Sequence, residues 1–165
     1  MFEQRNRKLF VMGRVFWIML LCCALTGAVF ADDDDESETP NLQGTWRVTL
    51  LPGAPNQFFS LMEFNKGGTM TEEASSPRHT TSIGVWKKIR GHGNFAATFE
   101  LFFDSDSNGL FDSRYRVRQT IHLSDDDTFT GTLTIDVLTL DGTTHLAGPF
   151  AGIPLEGKRM RVKRE

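Results

Sequence analysis

Short segments in which apolar and polar residues alternate fill the chain from about residue 44 onward. The alternation is clearest from Phe95 to Phe103, where every odd-numbered residue is apolar while Thr98 and Glu100 lie between them. Because successive side chains of a strand point to opposite faces, this pattern predicts a strand with one apolar and one polar face. Eight strands are predicted in this way, at about 44–51, 57–64, 69–73, 82–89, 95–104, 111–123, 128–138 and 144–162.

Residues that favour tight turns separate these segments, such as Asn-Lys-Gly-Gly at 65–68 and Asp-Gly at 141–142. The last strand is expected to break around Pro149 and Pro154, since proline cannot donate to a strand ladder. No sustained period of 3.6 residues follows residue 32, so little helix is expected. The predicted fold class is all-β: an eight-stranded antiparallel up-and-down barrel, whose closure removes exposed edges. Its interior is either filled by side chains or able to hold one small ligand.

The first 31 residues have the pattern of a secretory signal peptide. Basic residues up to Arg14 precede an apolar stretch at 15–25, and small residues at Val29 and Ala31 suit cleavage before Asp32. The apolar stretch is shorter than the roughly 20 residues that a membrane-spanning helix needs. The sequence therefore predicts a secreted or periplasmic protein with no stable membrane span after cleavage.

An acidic segment at 32–40 follows the predicted cleavage point, and its like charges predict a disordered tether. The barrel domain is assigned to 41–165, where 14 Lys and Arg balance 14 Asp and Glu. A neutral domain of this kind offers no broad basic surface, so no nucleic-acid partner is expected. Cys22 and Cys23 both lie in the leader, so the barrel is expected to be stabilised by burial rather than by disulfides.

Two motifs at the ends of the barrel domain resemble the lipocalins and the wider calycin group of small-ligand barrels. These are Gly44-Thr45-Trp46 and the Gly157–Arg161 segment; Gly84-Val85-Trp86 and the stretch from Phe99 to Phe103 further resemble secreted bacterial lipocalin-like domains of unassigned function. The resemblance implies that Trp46 forms the barrel floor, with Arg159 or Arg161 crossing over it. A guanidinium on an indole face contributes about 0.5 to 2 kcal/mol.

The apolar inner face of such a barrel predicts binding of a small apolar or amphipathic ligand. Gln119 would be a polar anchor in this cavity. A filled barrel that docks partners through Phe58 or Phe59 is the alternative, and a cyclase-like enzyme that acts by confinement, as allene oxide cyclase does, is a third hypothesis. We expect no enzyme, because no catalytic constellation stands out, and the oligomeric state stays open. The remaining predicted ligand contacts are Phe99, Leu101, Tyr115, Val117, Phe129 and Leu133.

The segment from Asp104 to Asp112 is the sharpest local motif, with oxygen donors at alternate positions before Gly109. Asp104, Asp106, Asn108 and Asp112 have a spacing similar to that of calcium-binding loops, so calcium is the one cofactor that the sequence suggests. A polar hairpin turn uses the same residue types.

Two further sets of charged residues have alternative interpretations. Glu63 is either a buried acid among apolar neighbours or part of a solvated face. Arg114, Arg116 and Arg118 share one strand face and would either bind an anionic partner or face water. The four histidines have no metal-ligand spacing.

Overall fold

The computed structural model describes residues 40–162, so the predicted signal peptide and nearly all of the acidic tether lie outside the described residues. Within that range all eight predicted strands are present, with ends within three residues of those expected, and no helix occurs. The range accordingly contains no helix that could cross a membrane. The strands are β1 (Gly44–Leu50), β2 (Phe58–Phe64), β3 (Thr69–Ala74), β4 (Ser82–Lys88), β5 (Asn94–Phe103), β6 (Ser113–Leu123), β7 (Thr128–Leu138) and β8 (His145–Arg159).

Each strand pairs antiparallel with its neighbours in the sequence, and β1 pairs with β8 to close the barrel. The closing register places Trp46 opposite Arg159 and Leu50 opposite Leu155. The predicted closed up-and-down barrel is confirmed.

The last strand differs in one respect from the prediction. β8 is one continuous element, but its register with β7 shifts between Leu133 and Leu138, in the part of the ladder that contains Pro149. A proline has no N–H to donate, so an irregular ladder at this position is its expected effect. The expected break is therefore a local irregularity rather than the end of a strand.

Strand periodicity determines which side chains fill the interior. On β6, Val117, Gln119 and Ile121 are buried while the residues between them are exposed. Glu63 is exposed, as its solvated alternative predicted. The buried apolar cluster consists of Leu42, Trp46, Val48, Met62, Phe64, Met70, Phe95, Ala97, Phe99, Val117, Ile121, Leu123, Phe129, Leu133 and Leu155.

Candidate functional site

One end of the barrel is closed by a tryptophan and an arginine. Trp46 is fully buried, and its indole Nε1 donates to the backbone carbonyl of Leu42 at 2.9 Å. The Arg159 guanidinium lies over the indole ring, 4.2 Å from its centroid. The same group donates to the carbonyls of Asn41, Gln43 and Asp126, so it joins the segment before β1 to the turn before β7. We call this the closed end.

Gly44 makes the close approach of Arg159 possible. Its φ is +118°, a conformation that disfavours other residues, and a Cβ placed there would lie 2.9 Å from Arg159 Nη1. The backbone conformation thus favours glycine at this position of the Gly-Thr-Trp motif, and the absence of a Cβ leaves room for the arginine that covers Trp46.

Arg161, the other candidate partner of Trp46, lies on the surface. Its guanidinium Nη2 is 2.6 Å from Asp127 Oδ1, and both side chains are at least half exposed. Arg159 is therefore the residue that closes the barrel, and Arg161 adds a surface ion pair.

A cavity of about 270 Å³ lies toward the opposite end of the barrel, where β1 ends and β2 begins. Its deep part is formed by buried side chains such as Met62 and Val117, and its rim by partly exposed ones such as Leu51 and His79. Barrels of eight strands have room for one small ligand when side chains do not fill them. The full lining consists of Leu50, Leu51, Phe58, Met62, Glu72, His79, Phe99, Leu101, Phe103, Tyr115, Val117, Gln119, Leu133, Ile135 and Ile153.

Six of the seven predicted ligand contacts line this cavity: Phe99, Leu101, Tyr115, Val117, Gln119 and Leu133. Phe129 does not, because it lies near the start of β7 at the closed end, where its ring centroid is 4.9 Å from that of Trp46. Its side chain points into the barrel as alternation predicts, but it lies at a different position along the barrel axis from the cavity.

Sequence reasoning missed Glu72, which lies among apolar lining residues and is 5% exposed. A signal was present, because Met70 and Glu72 occupy alternate positions of β3 and must share a face. Assigning Met70 to the core also assigns Glu72 to the interior. The docking alternative requires Phe58 or Phe59 to be exposed; Phe59 is 44% exposed, whereas Phe58 lines the cavity.

A small polar cluster is built into the cavity wall around Glu72. Ser82 Oγ donates to Glu72 Oε2 at 2.5 Å. Ser60 Oγ and Gln119 Oε1 are buried and have no hydrogen-bond partner among residues 40–162. Gln119 Nε2 lies 3.8 Å from the Met62 sulfur, a weak acceptor. Buried polar atoms without partners are costly to a fold, and Gln119 lines the cavity, so its unpaired oxygen is available to a molecule placed there.

The two buried serines should respond to different extents to substitution by alanine. Ser60 Oγ lies near the Glu72 carboxyl group but makes no close hydrogen bond, so Ser60→Ala should lower the free energy of unfolding by less than Ser82→Ala does. Ser82→Ala removes the donor to a buried carboxyl group and should lower it by about 1 to 2 kcal/mol. Urea unfolding of both variants measures the two changes. Equal destabilisation by both would contradict this description of the cluster.

Burial raises the pKa of Glu72, although the hydrogen bond from Ser82 and the nearby His79 act in the opposite direction. The folded state therefore binds a proton more tightly than the unfolded chain. As the pH rises from the ordinary glutamate value toward the folded pKa, the unfolded state loses its proton first, so the wild-type protein loses stability.

The pH dependence of stability should change when Glu72 becomes neutral. Glu72→Gln has no carboxyl group to ionise at this position, so it does not lose this stability. The free energy of unfolding of the variant, relative to wild type, should therefore increase as the pH rises from the ordinary glutamate pKa to the folded pKa of Glu72, and stay constant above it. Urea unfolding from pH 4 to pH 8 gives the comparison. The neighbouring Glu73→Gln is the control, because Glu73 is exposed and bonds to Thr81. A difference independent of pH would refute this assignment.

The acidic loop between β5 and β6 brings its three carboxylates together. One oxygen from each of Asp104, Asp106 and Asp112 lies within 4.8 Å of the others. The fourth predicted ligand, Asn108, uses its Oδ1 to accept from the Leu110 N–H at 2.8 Å. The backbone N–H of Gly109 donates to Asp104 at 2.8 Å, so the loop is also held by its own hydrogen bonds. Calcium binding there stays a prediction.

The arginines on the outer face of β6 are paired with acidic residues. Arg114 and Arg116 both contact Glu100, at 2.9 and 2.7 Å, and Arg118 contacts Asp136 at 2.6 Å. Two carboxylates thus compensate two of the three arginine charges on the barrel wall, which favours the solvated row over an anion-binding site.

The chain matches no protein-family model, no curated protein and no solved structure. Its functional assignment therefore depends on the geometry of the barrel itself.

Proposed function

We propose that this protein is an exported, lipocalin-like barrel that binds one small apolar or amphipathic molecule. The observation that carries the proposal is the cavity of about 270 Å³, lined mainly by apolar side chains, in a barrel whose other end is closed by Trp46 and Arg159. Apolar pockets with a few polar groups are the usual form of a small-molecule site. Export rests on the predicted signal peptide, and the lipocalin assignment on the closed end together with the barrel topology.

A fluorescent probe of suitable size tests binding. A cavity of about 150 Å³ holds benzene, so the present one suits a ligand of about two fused rings. Naphthylamine, whose fluorescence depends on the polarity of its surroundings, should bind saturably with one site per chain. Val117→Phe places a larger side chain in the cavity and should weaken binding at least about tenfold, which is 1.4 kcal/mol.

The control for this variant is Thr120→Phe, since Thr120 is exposed on the same strand and should leave binding unchanged. Circular dichroism checks that both variants fold, and Leu101→Phe, nearer the rim, replaces Val117→Phe if that variant does not. Probe binding that is absent from the wild-type protein, or that is equal in all folded variants, would overturn the proposal.

A second candidate function, partner docking, is favoured by the outer face of β2 and β4. Phe59 and Leu61 on β2 and Ile83 and Val85 on β4 are 44 to 71% exposed, on either side of Thr71 and Glu73 of β3, and exposed apolar residues close to one another often mark interaction sites. The cavity argues against the hypothesis that side chains fill the barrel completely. If this face docks a second copy, light scattering should give a dimer mass for the wild-type protein and a monomer mass for Ile83→Lys. A monomer in both cases would exclude self-association.

A further inference from the structure

The deep part of the cavity contains negative but no positive charge. Glu72 is its only acidic lining residue, and none of the lining residues is a lysine or an arginine. His79 carries the one basic side chain of the lining and is partly exposed; it lies on the connection between β3 and β4, where its backbone forms an isolated antiparallel bridge with Phe103. A ligand carboxylate placed beside Glu72 would meet a like charge and no buried cation to compensate it.

The unpaired oxygen of Gln119 belongs to the same part of the cavity. Gln119 lies on β6, yet its amide reaches Met62 on β2 at 3.8 Å, and Met62 is the strand partner of Glu72. Two acceptor groups from different sides of the barrel wall therefore converge on one region. Gln119 is only 3% exposed, so its free oxygen is not satisfied from the surface.

Folding has already removed Glu72 from water. The free-energy cost of desolvating this carboxyl group is therefore part of folding and is not added when a ligand binds. A cationic ligand loses only its own hydration, and its attraction to the Glu72 carboxylate offsets that loss. A charge-assisted hydrogen bond of this kind is stronger than a neutral one.

On the basis of the proposed function, we infer that the ligand is an apolar molecule carrying an amino group, which donates to Glu72 and to Gln119 Oε1. The apolar body occupies the region of Phe99, Val117 and Leu133. The cavity thus selects for a hydrogen-bond-donating cation and against carboxylic acids of the same size.

A matched set of naphthalenes that differ in one substituent tests the inference. The substituents are methyl, hydroxymethyl, aminomethyl and carboxylate, and isothermal titration gives the dissociation constant of each with the wild-type protein. We expect the aminomethyl compound to bind at least about tenfold more tightly than the methyl and hydroxymethyl compounds, since a hydrogen bond between two charged groups is stronger than one between neutral groups. The carboxylate should bind most weakly.

Two glutamine variants assign the preference to one carboxyl group. Glu72→Gln should bring the aminomethyl and hydroxymethyl compounds to similar affinity while it retains binding of the methyl compound. Glu73→Gln, on the outer face of the same strand, should keep the full preference. If the methyl compound binds but the amine has no advantage, this inference fails and the proposed function stands. If no compound binds, the proposed function fails as well.

Discussion

Substituting Gly157 by alanine is expected to lower the free energy of unfolding by about 3 kcal/mol, the upper part of the range for overpacked cores. A Cβ on Gly157 would lie 2.1 Å from two atoms of the Phe129 ring. That ring is buried and packs against Trp46, so it cannot move away without disturbing the closed end. For a domain of this size the melting temperature should fall by about 10 °C.

A double substitution identifies the cause of this destabilisation. Phe129→Leu frees part of the space next to Gly157, so the Gly157→Ala and Phe129→Leu changes should cost less together than the sum of the two. Glu156→Ala, at an exposed position of the same strand, should change stability by less than about 0.5 kcal/mol. Strict additivity of the pair would show that the alanine acts in some other way.

Loss of the Arg159 side chain is expected to destabilise the barrel by about 2 to 4 kcal/mol. Arg159→Ala removes the cation–π contact with Trp46, which contributes about 0.5 to 2 kcal/mol, and leaves three backbone carbonyls without their donor. Arg159→Lys keeps the positive charge but lacks the planar guanidinium with its several N–H donors, so it should restore only part of the lost free energy of unfolding. Urea unfolding provides the values.

Arg161→Ala is the matched control for the closed end. Arg161 makes an exposed ion pair with Asp127, and such pairs contribute about 0 to 1 kcal/mol. If Arg161→Ala proved as destabilising as Arg159→Ala, the special role of Arg159 at the closed end would be disproved.

Much of this fold could be predicted because the alternation of apolar and polar residues along a strand shows which face is buried. The alternation along β5 and β6 correctly placed Phe99, Val117 and Gln119 inside the barrel. Alternation does not give height along the barrel axis, however. Alternation therefore predicts Phe129 among the ligand contacts, although strand register places it at the closed end beside Trp46.

The parts that could not be predicted depend on three-dimensional packing. Arg159 and Arg161 share one strand parity. The register between β1 and β8 places the Trp46 indole against Arg159, and the turn before β7 places Asp127 against Arg161. Whether the barrel is filled depends on the sum of side-chain volumes across eight strands. The role of Glu72 was hidden for another reason, since a carboxyl group in an apolar interior contradicts the binary pattern that reveals strands.

The methionines provide the most direct test of the central claim that the cavity is a binding site. Met62 lines the cavity, Met70 is buried outside its lining, and Met160 is 45% exposed. Nuclear magnetic resonance of protein labelled with ¹³C at the methionine methyl groups, assigned by Met→Leu variants, follows all three during titration with naphthylamine. If the cavity binds the probe, the Met62 signal should shift saturably while the Met70 and Met160 signals change little. An unchanged Met62 signal at saturating probe, or a shift confined to Met160, would contradict that claim.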